Sequence, residues 1–300
     1  MLDFRPVLPE DSAWLHPLLN NTTNLTCEYS PACLVMWGHA TIAECDGFYV
    51  PMVNYGNGPR YLRPIGTDDF LPLLPALIAD SKERGIPFLM SGITPPVREK
   101  MEETGMFNFT ANRDYFDYVY NIESLTSLAG RKLQAKRNHI NRFIEQYPEW
   151  HTEPINRENL AEVEAMTDLW YQEHYDHGFK PSFYAGEQQS LRLAFDHYEA
   201  FGFDGLLLRV DGHIAGWSMG IRLNKETFDV NFEKAFASMQ GSYPLINREF
   251  SRMIHEKYPE IRWLDREDDM GEEGLRRAKL SYHPEVILEK SVAALKEEFR

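Results

Sequence analysis

Gly205-Leu-Leu-Leu-Arg-Val-Asp-Gly-His-Ile-Ala-Gly-Trp-Ser-Met-Gly-Ile221 reads as a β-hairpin. The apolar run 205–210 is closed by Asp211-Gly212, a two-residue pair suited to the left-handed backbone of a tight hairpin turn, and 213–221 continues as the second strand. A third strand is expected over 227–233, where Phe228, Val230 and Phe232 alternate with Asp229, Asn231 and Glu233. Alternation at period 2 puts the three polar residues on one side and the three apolar ones on the other. Downstream, the pattern predicts a helix over 243–257, a strand over 261–265, a helix over 272–282 and a last strand over 286–289.

The first half repeats that order. Asp46-Gly47 turns one hairpin, Asn57-Gly58 leads into a strand over 61–65, and a helix is expected over 69–84. A strand over 86–90, a helix over 95–103 and a strand over 107–120 complete the set. Between the halves, 123–146 reads as one long bridging helix. The match is in element order and turn chemistry, which points to duplication of one fold. A helix-wrapped mixed sheet in this order is similar to the GNAT acyltransferase arrangement. The expected class is therefore α/β, a mixed α+β sheet in two tandem GNAT-like domains, residues 1–122 and 123–300. An unrelated pair of α+β domains is the other architecture with these elements.

Composition sets outer limits. A chain of 300 residues that is 43% hydrophobic and 13% aromatic can bury a large core and lies at the length where cores begin to divide. It has neither a long apolar run nor a leader-like start, so no transmembrane segment and a cytoplasmic location are expected. Its three cysteines, Cys27, Cys33 and Cys45, make no CxxC pair and fit a reducing compartment. A formal charge of −15 disfavours an extended nucleic-acid surface, which needs a broad positive field, so any polyanion must be met locally.

Four groups of residues suggest chemistry. Segment 130–142 holds five of the 31 Lys and Arg residues; Lys132, Lys136 and His139 run along one edge of its apolar stripe, and Arg137 adds a fork of donors suited to phosphate. A solvated helix face is the plainer account of the same charges. Lys279 falls at i+4 from Leu275 and one residue after Ala278, inside an otherwise apolar stripe that ends at Tyr282. There it can stabilise charge developing on an acyl carbonyl, or it can lay its methylenes over apolar surface with the ammonium in water. Asp265, Glu267, Asp268 and Asp269 follow a strand, the usual place for a ligand in such sheets, and suit an amino group. Asn231 and Glu233 line the same mouth if strand 227–233 is central. No metal is expected: no His or Cys stands among these acids at ligand spacing, and His174 with His177 is an isolated HxxH in an aromatic helix end. The stretch 236–245 also lacks the [QR]xxGx[GA] loop with which acetyl-CoA enzymes of the GNAT type hold pyrophosphate, since Ser238 and Tyr243 flank Gly241.

Gly130-Arg-Lys-Leu-Gln-Ala-Lys-Arg-Asn-His-Ile-Asn-Arg-Phe143 together with Glu273-Gly-Leu-Arg-Arg-Ala-Lys-Leu-Ser-Tyr-His-Pro284 resembles the phosphatidylglycerol lysyltransferase C-terminal domain family, over nearly the whole chain. The resemblance implies tandem GNAT-like domains, kinship with Fem-type aminoacyltransferases, and transfer of an aminoacyl group from charged tRNA to an amine or lipid hydroxyl. By position it makes Lys279 the lysine of the GLxxxK segment near the reacting ester, and makes Lys132, Lys136 and Arg137 the basic helix beside the donor end. Ala278 stands where the Fem-type pattern has Phe. The sequence thus predicts a catalytic Lys279, a donor site of Lys132, Lys136, Arg137 and His139, and an acceptor or amine site of Asn231, Glu233, Asp265 and Glu267. No permanent cofactor is expected, and the donor is an aminoacyl-tRNA, touched at its acceptor end, or an acyl-CoA. An acetyl-CoA-dependent N-acetyltransferase and a non-catalytic ligand-binding scaffold are the rival functions.

Overall fold

Asp211 and Gly212 both take positive φ, 50° and 80°, and Asp46 and Gly47 in the first half do the same at 48° and 80°, so the two Asp-Gly hairpins form by the same turn chemistry. The computed structural model describes residues 1–300 except 24, 25, 68, 179 and 300. Its strands are β1 (Arg5–Pro6), β2 (Thr41–Cys45), β3 (Phe48–Val53), β4 (Arg60–Leu62), β5 (Leu89–Ile93), β6 (Phe107–Ala111), β7 (Asp117–Asn121), β8 (His151–Pro154), β9 (Asp204–Val210), β10 (His213–Arg222), β11 (Thr227–Ala235), β12 (Trp263–Asp265), β13 (Val286–Leu288) and β14 (Ser291–Leu295). They form two seven-stranded mixed sheets, ordered β1-β2-β3-β4-β5-β14-β6 and β13-β7-β12-β11-β10-β9-β8.

The sheets do not part at residues 122 and 123. The run expected as one strand over 107–120 is two, β6 and β7, delivered to different sheets, and the chain returns at its end to lay β14 antiparallel between β5 and β6. Each half therefore contributes a strand to the other's sheet or to its border, and the halves are stitched together at 111–117 and 288–291. The bridging helix is also two pieces, Ile122–Ser127 and Gln134–Gln146. Leu128 turns left-handed at φ 49° and Gly130 at φ 82°, and the Arg137 guanidinium closes the break by donating to the carbonyls of Leu128 and Gly130. The second piece keeps its expected stripe: Leu133, Ile140 and Phe143 are buried and Ile144 and Tyr147 pack against the same core. Helices Leu160–Asp176 and Pro181–Asp196 cover the opposite face of β10 and β11, in a core built on Trp170, Phe195, Trp217 and Phe232. Among the described residues no helix is long and apolar enough to cross a membrane.

One irregularity positions the polar residues. Met219 faces Phe232 but Ile221 faces Asp229, so β11 carries one residue more than β10 between them. This β-bulge reverses the alternation. Before it, Phe228 and Val230 enter the core under helix Ser242–Lys257; after it, Ala235 does so, while Phe232 enters the other core. Gly220 makes the bulge feasible, because a Cβ there would stand 2.1 Å from the Asp229 carbonyl oxygen. Asp229 and Asn231 consequently face the first half of the chain, whereas Glu233 faces the helix, where Asn247 donates to its carboxylate at 3.2 Å. The expected common side for Asp229, Asn231 and Glu233 is thereby corrected.

Candidate active site at the junction of the sheets

The short helix Pro31–Met36 begins at Ser30, whose hydroxyl accepts from the Cys33 amide at 3.2 Å, and it aims Cys33 at the second sheet. There the Cys33 thiol lies 3.3 Å from Glu267 Oε1 and 3.6 Å from Asp229 Oδ2. Asn231 Nδ2 donates to Asp229 Oδ2 at 2.8 Å and to Glu267 Oε1 at 3.1 Å. Glu267 sits on the loop after β12 with a left-handed φ of 55°, a conformation a non-glycine residue keeps only when its surroundings hold it. The Lys279 ammonium does this: it donates to the carbonyl oxygens of Arg266, Glu267 and Asp268. Arg276, one turn earlier, clamps Asp269 with two hydrogen bonds and reaches Asp114.

Beside this group lies a second. Lys290, immediately before β14, donates at 2.7 Å to Glu28 Oε1 and at 2.7 Å to Asp117 Oδ1, with the Cys27 thiol 3.6 Å away. Together the two groups and the adjoining Asp265 and Asp268 set six carboxyl groups, Glu28, Asp117, Asp229, Asp265, Glu267 and Asp268, against the ammonium groups of Lys279 and Lys290. Burial, followed by repulsion among the acids, holds the Asp229 and Asp265 carboxyls well above the usual range. Burial also raises Glu267 to about 7 and Asp268 to about 6, and both keep part of their surface in solvent. The chamber is short of positive charge.

An open cleft of about 540 Å³ is lined by Trp37, His39, Asn54, Tyr55 and Gly56, and Tyr55 links it to the chamber through the nearby Glu28 and Cys27. Trp37 follows the helix that carries Cys33, and its indole Nε1 is buried with no hydrogen-bond partner. Tyr55 keeps 38% of its surface exposed, yet burial and then the nearby Glu28 and Cys27 suppress ionisation of its hydroxyl. The ring thus borders the cleft while the hydroxyl points toward the acids.

The residues singled out from sequence divide three ways. Asn231, Glu267 and Asp265 belong to the chamber. Glu233 does not: on the other face of the sheet it pairs with Arg266 at 2.8 Å, and Lys136 lies beside them with its ammonium 3.9 Å over the Tyr282 ring. Arg137 is spent on its own helix break, Lys132 is exposed, and His139 lends its backbone, packed against Gly241, rather than its ring. The expected apolar stripe of the last helix is also absent, since Leu275 and Ala278 are exposed and Lys279 is the one buried residue of Glu273–Leu280. All three N–H donors of Lys279 are taken by the chain's carbonyls, so in this structure the ammonium holds the loop 266–268. The amines of the bridging and last helices therefore do not share one crevice. Cys33, Glu28, Tyr55, Asp117 and Lys290 went unread, because each acts through partners far off in sequence.

Burial, then the neighbouring Arg266, lowers Lys136 to about 8, with Glu233 opposing. In an NMR titration of the ¹³C-dimethylated protein, one lysine should titrate near that pH and vanish in Lys136→Arg. Glu233→Gln should move it lower still, because the charge that favours the ammonium is gone; an upward move would contradict this geometry.

The fold is that of tandem GNAT-like proteins. A conserved protein of unknown function from Bacteroides thetaiotaomicron is 34% identical, with a TM-score of 0.92 over 99% of this chain and 100% of that one. L-PGS from Bacillus licheniformis is 14% identical, with a TM-score of 0.67 over 98% of this chain and 93% of that one. An uncharacterised protein of Mycoplasmoides gallisepticum is 29% identical over 175 residues, which are 58% of this chain and 54% of that protein, so the match spans about half of that relative's length. The family model described as phosphatidylglycerol lysyltransferase, C-terminal, matches residues 20–294. On that match the chain belongs to the phosphatidylglycerol lysyltransferase C-terminal family.

Proposed function

We propose that this chain is an acyltransferase that moves an aminoacyl group from an activated ester donor to an amine or hydroxyl acceptor. The observation that carries the proposal is the surplus of carboxyl groups in a chamber where the two halves meet, beside an open cleft in the first half. Such a chamber favours the ammonium of an aminoacyl group and disfavours a neutral acetyl group, because only the former supplies the missing charge. Asp268 accepts the proton of the incoming nucleophile: it is partly exposed, and at about 6 its carboxyl is matched to proton transfer near neutral pH. Asn231, Glu267 and Asp265 orient the ammonium, and Lys279 acts as a positioning residue for the loop that carries Glu267 and Asp268.

For the donor, an aminoacyl-tRNA fits better than an acyl-CoA. Coenzyme A pyrophosphate would need the start of helix Ser242–Lys257, and Gly241 there is packed so closely on the bridging helix that a Cβ would lie 2.5 Å from the His139 carbonyl oxygen. The exposed Arg131, Lys132 and Arg142 on and before that helix offer a local positive strip to a tRNA acceptor end. The test is release of a labelled aminoacyl group from a panel of charged tRNAs in the presence of amine and lipid-hydroxyl acceptors. Acceptor-dependent release is expected, and Asp268→Asn should lower kcat by about 100-fold with KM nearly unchanged. Turnover of acetyl-CoA with no release from any charged tRNA would replace this reading with an N-acetyltransferase.

A further inference from the structure

Two trios of one cysteine and two carboxylates flank the junction: Cys27, Glu28 and Asp117, and Cys33, Asp229 and Glu267. In the first the fold supplies the cation, Lys290. In the second, among the described residues, no lysine or arginine forms an ion pair with Asp229 or Glu267; Lys279 acts on Glu267 only from a distance, and the neutral Asn231 amide and the Ser30 hydroxyl are the polar partners. Asp229 is fully buried and Asn231 is 8% exposed, and Asp229 Oδ1 and Asn231 Oδ1 are both buried without a hydrogen-bond partner. The amide thus satisfies one oxygen of each acid, strands its own oxygen, and brings no charge. An orphaned acceptor of this kind needs a reason.

We propose that Cys33, Asp229, Glu267 and Asn231 form a binding site for one divalent transition-metal ion of the zinc type. The Cys33 thiol stands 3.3 Å from Glu267 Oε1 and 3.6 Å from Asp229 Oδ2, and Asn231 Nδ2 stands 2.8, 3.1 and 3.5 Å from Asp229 Oδ2, Glu267 Oε1 and Cys33 Sγ. Ligands placed about 2.0–2.3 Å from a tetrahedral zinc ion lie roughly 3.3–3.6 Å from one another. The three separations of the Cys33 sulfur fall there, while the 2.8 and 3.1 Å from the Asn231 amide to the two acids are hydrogen bonds that an ion would replace and open by a few tenths of an ångström. A half-turn of the Asn231 amide exchanges its N–H₂ for the orphaned Oδ1 and makes every corner an acceptor. One thiolate among three oxygens, in a buried pocket, suits zinc over calcium or magnesium, which prefer six or more oxygens or retain water. Cys33 comes from a helix of the first half, Asp229 and Asn231 from β11 and Glu267 from the loop after β12, so the ion fastens the two halves together. No His or Cys lies near these acids in sequence; Cys33 arrives from 196 residues away, so ligand spacing along the chain carries no sign of the site.

The ion takes Asn231 and Glu267, which the proposed transfer reading gives to the substrate's ammonium, so in the metal-loaded chain only Asp265 of that set is left to orient it; the test reads binding alone. The full chain, stripped with chelator and dialysed, is titrated with ZnCl₂ by calorimetry and with CoCl₂ by absorbance. One Zn²⁺ per chain is expected, with Co²⁺ giving a thiolate-to-metal charge-transfer band. Cys33→Ser should abolish that band, whereas Cys27→Ser, at the trio that Lys290 fills, should keep it. Because Cys33 is buried, Glu267→Gln at the partly exposed corner is the second variant and should weaken Zn²⁺ binding at least tenfold. Absence of Zn²⁺ binding, binding unchanged in both the Cys33 and Glu267 variants, or Co²⁺ bound without a thiolate band would each overturn the assignment.

Discussion

Lys290→Met is expected to destabilise the fold by about 3–5 kcal/mol at pH 7. The Lys290 side chain is 4% exposed and Asp117 is 0% exposed, so their 2.7 Å pair lies out of water, with Glu28 as a second anion at the same ammonium. Methionine keeps most of the volume and removes the charge, leaving two buried carboxyls with no counter-ion. The position amplifies the loss: Asp117 opens β7 in one sheet and Lys290 precedes β14 in the other, so the pair ties the two exchanged strands at their roots. The pH dependence follows by sign. In the native chain burial raises the Glu28 carboxyl, but Lys290 more than offsets this and leaves it below its usual value. Asp117, by contrast, is held above its usual value by burial even beside Lys290, so without Lys290 it rises further and Glu28 rises with it. The variant then binds protons more readily when folded and loses stability as pH climbs through the carboxylate range. The deficit should be small near pH 4 and full by pH 7 in urea melts. Adding Asp117→Asn to the variant should recover part of it, as expected for coupled neighbours. A deficit under about 1 kcal/mol would place these charges in contact with water, as surface pairs are.

The elements legible in the sequence are those whose signal is local. Asp46-Gly47 and Asp211-Gly212 identified both hairpins because only a few residue pairs accept left-handed backbone at two successive positions. The stripe Leu133, Ile140, Phe143 identified the basic helix because its core lies on one side. What escaped is set by distance or by single-residue geometry. Strand β14 is a short apolar segment, and its sequence carries nothing about which sheet receives it. The bulge in β11 moved Glu233 to the other face through one extra residue, for which Gly220 across the ladder is a weak signal. The last helix misled more thoroughly: its apolar positions Leu275 and Ala278 face solvent, and it is anchored by Arg276 and Lys279 instead. Periodicity locates a buried face only where apolar contact does the anchoring.

That polar anchoring makes Lys279→Met the sharper test of mechanism. A positioning role predicts two losses together. Removing the ammonium strands the carbonyl oxygens of Arg266, Glu267 and Asp268 at a residue only 8% exposed, and unsatisfied buried acceptors cost about 1–3 kcal/mol each before relaxation, so a fall of about 3 kcal/mol is expected. Backbone amides over 266–270 should exchange with deuterium faster while those of β11 keep their protection, because only the loop loses its tie. Transfer should fall with the loop, through kcat, since Asp268 is no longer held. A lysine acting on the substrate instead predicts lost transfer with stability and exchange unchanged. Lys279→Arg separates the two further: a guanidinium can still donate to carbonyls of the loop, so the positioning role predicts stability and exchange returning toward those of the native chain, with activity recovering in step. Recovery of stability without activity would return the ammonium to the reacting ester.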